Sequence, residues 1–128
     1  MKKESKRQQQ VAEVIKRNFS RVLQQEGGYI YGHGVMVTVT SVSMTPDFGL
    51  AKIYLSVFNT ENKQAVILQM EEAHHRLKQV LASFIRKKVR RMPEIAFYMD
   101  ETLDEMYRLN DMFKKLKDEN QMGSEESS

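Results

Sequence analysis

Residues 61–91 contain no proline or glycine, and they constrain the fold more than any other segment. Apolar side chains recur there every three or four residues, the spacing of an amphipathic helix. They are Val66, Ile67, Met70, Ala73, Leu77, Val80, Leu81, Phe84, Ile85 and Val89. A straight helix of these 31 residues would be about 47 Å long, whereas a domain of 128 residues is about 36 Å across. We therefore predict a kink near Ala73, His74 and His75, where a small residue precedes two weak helix formers.

Two segments before this helical region alternate between apolar and polar residues. Residues 35–44 and 50–58 are rich in β-branched side chains with a period of two, which predicts strands. The residues between them, 45–49, contain Pro, Asp and Gly in that order, so we expect an antiparallel hairpin. The apolar phase changes near Ser41, which predicts a β-bulge. Residues 94–99 alternate in the same way and form a third predicted strand.

Helical segments flank these strands. An apolar stripe predicts a first helix from Val11 that ends at Gly27 and Gly28, followed by a loop to Gly34. Asp100 is a suitable N-cap for a last helix. The predicted order is α–β–β–α–kink–α–β–α, an α+β domain in which helices pack on one side of a three-stranded sheet.

The net charge of +3 conceals two opposed blocks. Residues 1–92 hold 16 Lys and Arg against 7 Asp and Glu, whereas residues 93–128 hold 4 against 10. We expect one domain over residues 1–117 with a basic N-terminal arm, and an acidic disordered tail over 118–128. The absence of cysteine excludes disulfides, zinc ribbons and thiol nucleophiles. No apolar run is long enough for a membrane span or a secretory signal, so we expect a cytoplasmic protein that does not bind membranes.

The segment from Arg76 to Arg91 contains many cations and no acid. Its candidate nucleic-acid-binding residues are Arg76, Lys78, Arg86, Lys87, Lys88, Arg90 and Arg91. Such a density of positive charge favours a phosphate backbone, and the lack of a groove-reading motif favours RNA over DNA. The alternative is a solvated helix face without a partner. A second basic group, which is either a flexible start or an extension of the footprint, comprises Lys2, Lys3, Lys6, Arg7, Lys16, Arg17 and Arg21.

No set of residues in the sequence indicates catalysis. His74 and His75 are adjacent and cannot share one helix face, so we expect no metal site. The triplet Asp47-Phe48-Gly49 matches a kinase motif, but its companion motifs are missing. We find no nucleophile paired with a base, and we predict neither an enzyme nor a cofactor.

Two blocks of the sequence resemble the ribosome-binding factor A family. One is the hairpin from Gly34 to Val57, which includes Ala51-Lys52-Ile53-Tyr54. The other runs from Ile85 to Asp100, with a basic run, Pro93-Glu94, Phe97 and a final Asp, and is followed by Thr102-Leu103. The match covers about residues 8–115 in the same order of elements.

The resemblance implies a type II KH-like domain, to which the predicted order of elements adds a C-terminal helix. It also implies an assembly factor that binds the immature small ribosomal subunit and its ribosomal RNA, and we expect the protein to be a monomer. Such a factor would assist maturation of the 5′ end of that RNA and would matter most in the cold. The family's kink is built on Ala-x-Gly, and here the positions read Ala73, His74 and His75, so the Ala is kept and the Gly is not.

Two other interpretations remain open from the sequence. One is a generic KH-type RNA-binding protein without a link to ribosomes. The other is a protein-interaction module that docks its acidic last helix on a basic partner and uses no RNA.

Overall fold

The computed structural model describes residues 4–100. The helices are α1 (Lys6–Tyr31), α2 (Lys63–Glu72) and α3 (His74–Ile85), and the strands are β1 (Met36–Met44), β2 (Leu50–Phe58) and β3 (Glu94–Met99). The predicted last helix and the tail of residues 118–128 lie outside the described residues. No helix of this described part is both long and apolar enough to cross a bilayer.

The three strands form one sheet in the order β1–β2–β3. β1 and β2 are antiparallel, as the hairpin prediction requires, and the register shifts between Val39 and Ser41, which confirms the predicted bulge. β3 runs parallel to β2, because the long α2–α3 connection carries the chain back across the sheet. Thr40 is the extra residue of the bulge, and its hydroxyl donates to an Asp100 carboxylate oxygen at 2.6 Å.

The helical region breaks at Ala73, where the sequence analysis placed the kink. Ala73 has φ −94° and ψ 14°, and its N–H is shared between the carbonyls of Gln69 and Met70. The break lets α2 pack against the sheet and α3 pack against α1, so that Met70 of α2 and Leu77 of α3 are both fully buried. Two short helices bury more apolar surface in a small domain than one straight rod that overshoots its core.

The core lies between the helices and one face of the sheet. Ile53 and Leu55 of β2 have no exposed surface, and Phe19 of α1 packs against Phe97 of β3 with ring centroids 5.6 Å apart. On the other face, Tyr54 stacks on Tyr98, whose side chain is exposed. The domain is therefore a two-layer α+β fold with one sheet face covered by helices.

The prediction that α1 ends at Gly27 and Gly28 was wrong. The helix continues to Tyr31 and ends at Gly32, which has a φ of +97°. A Cβ atom on Gly27 would lie 2.2 Å from the Tyr31 hydroxyl, and one on Gly28 would lie 2.2 Å from the ring of His33. The two glycines thus leave room for the side chains of Tyr31 and His33 to pack closely against the helix, and they do not end it.

The expectation that the helical region reaches Arg91 was also wrong, because α3 ends at Ile85. The N–H groups of Lys88 and Val89 both donate to the Ile85 carbonyl, which closes the last turn. Like charges crowded at helical spacing destabilise a helix, and the chain must also turn here to begin β3. The cations after Ile85 therefore lie on a connector and not on a helix face.

Candidate nucleic-acid interface

The connector between α3 and β3 carries the densest positive charge of the chain. We call residues 86–91 the cationic connector; its five cations are Arg86, Lys87, Lys88, Arg90 and Arg91, and all five are exposed. Val89 and Met92 are partly buried against the core, and Pro93 is fully buried. The apolar residues hold the backbone to the domain, so the cations extend into solvent from a tethered segment.

None of the ion pairs found within residues 4–100 involves a side chain of the cationic connector. The pKa of Asp47 is lowered mainly by hydrogen bonds from Thr45 and Gly49, and the charge of Arg91 is the smallest of its causes. An exposed group of cations without paired carboxylates in this part of the chain is suited to bind a polyanion and release its counterions.

Arg76 and Lys78 are placed differently from the connector. Arg76 Nε lies 3.0 Å from a carboxylate oxygen of Glu26 on α1, and Lys78 Nζ lies 3.1 Å from one of Glu94 on β3. The hydrogen bond from Arg76 is the main cause of the lowered pKa of Glu26, and the one from Lys78 is the main cause of the lowered pKa of Glu94. These two cations therefore already have anionic partners, whereas the connector cations have none among the described residues.

The carboxylates that pair with Arg76 and Lys78 were missed by the sequence analysis. Glu26 is 50 residues from Arg76, and Glu94 is 16 residues from Lys78. The segment between Arg76 and Arg91 contains no acid, so its local composition gives no sign of these pairs. Only the packing of α1 and β3 around α3 brings the acids to the cations.

The two histidines of the kink face different surroundings. His74 Nε2 lies 3.0 Å from both the Ile95 carbonyl and a Glu94 carboxylate oxygen, so this nitrogen acts as the donor. The ring of His74 also meets Phe97 edge-on, which ties the kink to β3. His75 is exposed, and its Nε2 lies 3.1 Å from the side-chain amide nitrogen of Gln79 on its own helix. Of the two kink histidines, His75 is the more exposed.

The second basic group is only partly joined to the connector. Arg7 at the start of α1 lines the same cavity as Arg90 and Arg91. Arg21 instead lies over the ring of Phe84, with its guanidinium carbon 4.4 Å from the ring centroid. Arg17 lies 3.9 Å from Glu13 on its own helix. The fold thus extends the cationic surface toward the N-terminus through Arg7.

No group of three or more potential metal-ligating side chains converges within residues 4–100. The connector presents exposed cations and hydrogen-bond donors, which are groups that can bind and orient an anionic chain.

Comparison with known proteins identifies the family. The sequence model of ribosome-binding factor A matches residues 7–113. A ribosome-binding factor A from Cytophaga hutchinsonii is 35% identical over 113 residues, which are 88% of this chain and 84% of the relative. The crystal structure of ribosome-binding factor A from Thermus thermophilus has a TM-score of 0.58 at 22% identity, covering 72% of this chain and 94% of that chain.

A second structural neighbour is the homology model of Thermus thermophilus ribosome-binding factor A fitted into a cryo-EM map of its 30S complex. It has a TM-score of 0.50 at 24% identity, and the match covers 68% of this chain and 92% of that chain. Both neighbours have the fold described above, and the family match spans most of the sequence. The resemblance noted in the sequence is confirmed: this chain belongs to the ribosome-binding factor A family.

Proposed function

We propose that this protein is an assembly factor that binds the immature small ribosomal subunit and assists maturation of the 5′ end of its ribosomal RNA. One observation carries the proposal: the five cations of the exposed connector, which no described carboxylate pairs. The names of its relatives, and the 30S complex of the Thermus thermophilus protein, point to the same partner. It acts as a cytoplasmic monomer and needs no cofactor.

The cations of the connector make the first contacts in this proposal. Arg86, Lys87, Lys88, Arg90 and Arg91 each neutralise a phosphate, and the contact is independent of base sequence. Arg76 and Lys78 border this surface and contribute less, because each must leave a carboxylate partner to reach RNA. Residues 1–117 form the RNA-binding unit, and the acidic residues 118–128 are dispensable for it.

A protein of this kind acts by binding energy alone. It stabilises one RNA conformation over another only to the extent that its affinities for the two differ. Mispaired RNA escapes more slowly in the cold, because breaking base pairs costs enthalpy. Loss of the protein should therefore be most harmful at low temperature.

The proposal is tested by gradient sedimentation of lysates from cells grown in the cold. The test variant combines Arg86→Gln, Lys88→Gln and Arg90→Gln. Its matched control combines Lys16→Gln, Arg17→Gln and Lys52→Gln, which removes equal charge elsewhere on the domain. We expect wild type and control to co-sediment with small subunits and the test variant to remain at the top of the gradient.

The cellular readout is the 5′ end of small-subunit RNA, mapped by primer extension. A strain lacking the protein should accumulate free small subunits with unprocessed 5′ ends in the cold, and the control variant should restore processing. Normal subunit ratios and 5′ ends in that strain would reject the role in ribosome maturation and favour a generic RNA-binding protein. Co-sedimentation that survives nuclease and high salt would instead indicate a protein partner.

A further inference from the structure

A cavity of about 210 Å³ opens beside the cationic connector. It lies between the start of α1, the β1–β2 turn and the end of the connector. Its apolar lining consists of Val11, Met44, Phe48 and Val89, and its cationic lining consists of Arg7, Arg90 and Arg91. The arginines are exposed and the apolar side chains are partly or fully buried, so the cavity has an apolar floor and a cationic rim.

The cavity is held together by hydrogen bonds between the start of α1 and the end of β1. Gln8 is buried, and its side-chain amide donates to the Met44 carbonyl at 2.9 Å. The Met44 N–H donates to a Glu4 carboxylate oxygen at 3.2 Å. Ser5 and Gln8 also form a capping box that fixes the first turn of α1. These contacts position Arg7 over the hairpin end.

Phe48 is held in an unusual conformation at this cavity. Its φ is +60°, a region that bulky side chains rarely adopt and that tends to occur at functional sites. The turn maintains it, because the Phe48 N–H donates to the Thr45 carbonyl at 2.9 Å and the Gly49 N–H to Asp47 at 2.9 Å. The turn therefore keeps the Phe48 ring at the floor of the cavity.

The charges around the cavity favour an anionic occupant. Three arginines and no acidic residue of the described part of the chain line it. The carboxylates of Glu4 and Asp47, on the adjoining segments, accept hydrogen bonds from β1 and from the turn. Guanidinium groups bind phosphate in bidentate fashion, and an aromatic ring stacks on any nucleobase.

The size of the cavity limits the occupant to a single ring system. At about 210 Å³ it is smaller than the ~300–1,000 Å³ of pockets for drug-sized ligands. Its rim is continuous with the cationic connector, so an RNA strand bound to the connector places a base in the cavity when a single nucleotide turns inward. This continuity favours RNA over an acidic peptide.

We propose that the cavity binds one unstacked nucleotide of single-stranded RNA, with its base against Phe48 and its phosphates at Arg7, Arg90 and Arg91. This site rests on the proposed function, because it refines how RNA is held. Phosphate contacts alone do not depend on the base, whereas this cavity makes the affinity depend on the presence of a base at one position.

The test compares two fluorescent oligonucleotides of equal length and equal phosphate number. One is abasic throughout, and the other carries a single central adenine. We expect the full-length protein to bind the adenine probe about 5- to 150-fold more tightly, the effect of one base–aromatic stack. Phe48→Gly removes the ring and suits the positive φ, so it should bring the affinities for the two probes to about the same value.

Three further variants separate stacking from folding. Phe48→Tyr keeps the ring and should keep the preference. Phe48→Leu keeps an apolar side chain without the ring and should lose most of the preference. Tyr29→Ala removes an aromatic side chain that is 84% exposed outside the cavity, and it should behave as wild type.

The outcomes distinguish this site from the proposed function. Equal, salt-sensitive binding of both probes by wild type would overturn the nucleotide site and leave the RNA-binding function standing. A retained adenine preference in Phe48→Gly would also overturn the site. Failure of both probes to bind would reject the site and count against the RNA-binding function. Displacement of the probe by an acidic phenylalanine-containing peptide at lower concentration than by the adenine oligonucleotide would assign the cavity to a protein partner.

Discussion

The salt dependence of RNA binding can be calculated from the ion pairs of the structure. Each cation that neutralises a phosphate contributes about 0.7 to 0.9 to the slope of log K against log salt. The five cations of the connector therefore predict a slope of about −3.5 to −4.5. All seven candidate cations would predict about −4.9 to −6.3. A phosphate contact of Arg7 at the cavity adds one such increment to either value, so the effect of single substitutions, rather than the absolute slope, distinguishes the two cases.

We expect the slope for five cations rather than seven because Arg76 and Lys78 already have carboxylate partners. The Glu26 side chain is only 11% exposed, so removing Arg76 to a phosphate would leave a largely buried carboxylate without its partner. Arg76 itself is 62% exposed, and surface pairs of this kind contribute only about 0–1 kcal/mol. The free-energy cost of moving Arg76 to a phosphate thus comes mainly from leaving Glu26 unpaired, and this cost keeps Arg76 from acting as a free cation.

The assay is fluorescence anisotropy of a 5′ fragment of small-subunit RNA, titrated over a range of KCl concentrations. Lys87→Gln should reduce the magnitude of the slope by about 0.7 to 0.9, because one phosphate contact is lost. Arg76→Gln, which removes the same charge from a paired position, is the matched control and should leave the slope unchanged. Equal changes for both variants would refute the argument from ion pairing, and a wild-type slope near zero would refute phosphate binding.

Three further predictions concern stability. Glu26→Gln should lower the free energy of unfolding at neutral pH. Because pairing with Arg76 lowers the pKa of Glu26, the stability that the charged carboxylate adds is lost as the pH falls through that lowered pKa. Urea titrations of wild type and variant should therefore converge in acid. Gly28→Ala should raise the thermal midpoint, because glycine in a helix interior costs about 0.5–1 kcal/mol relative to alanine. The new Cβ atom would meet the ring of His33, but that ring is exposed and can move. A lower midpoint would show that the ring is fixed. Deleting residues 118–128 should change the midpoint of a circular dichroism melt by no more than a few degrees, because this segment has almost no apolar side chain to bury.

The features of the fold that depend on neighbouring residues were predictable. The hairpin and its bulge near Ser41 follow from the period of the side chains and the turn residues between 45 and 49. The break at Ala73 follows from length, because a straight helix would extend beyond the core. Each of these depends on residues close in sequence or on the size of the domain.

The errors arose where the packing of side chains, rather than local propensity, decides the outcome. A pair of glycines often ends a helix. Here Gly27 and Gly28 lie inside α1, where the absence of a Cβ atom leaves room for the side chains of Tyr31 and His33. Likewise, the end of α3 at Ile85 depends on where β3 must begin. Local propensity is weak compared with burial of the core, so packing overrides it.

The sequence by itself determined which residues can bind a polyanion, because the sign and density of charge are properties of composition. Only the tertiary structure decided which of them are available. It brought Glu26 to Arg76 and Glu94 to Lys78, and it placed Arg7 beside the connector. The electrostatic energy of two charges depends on their distance in space, and separation along the chain does not determine that distance.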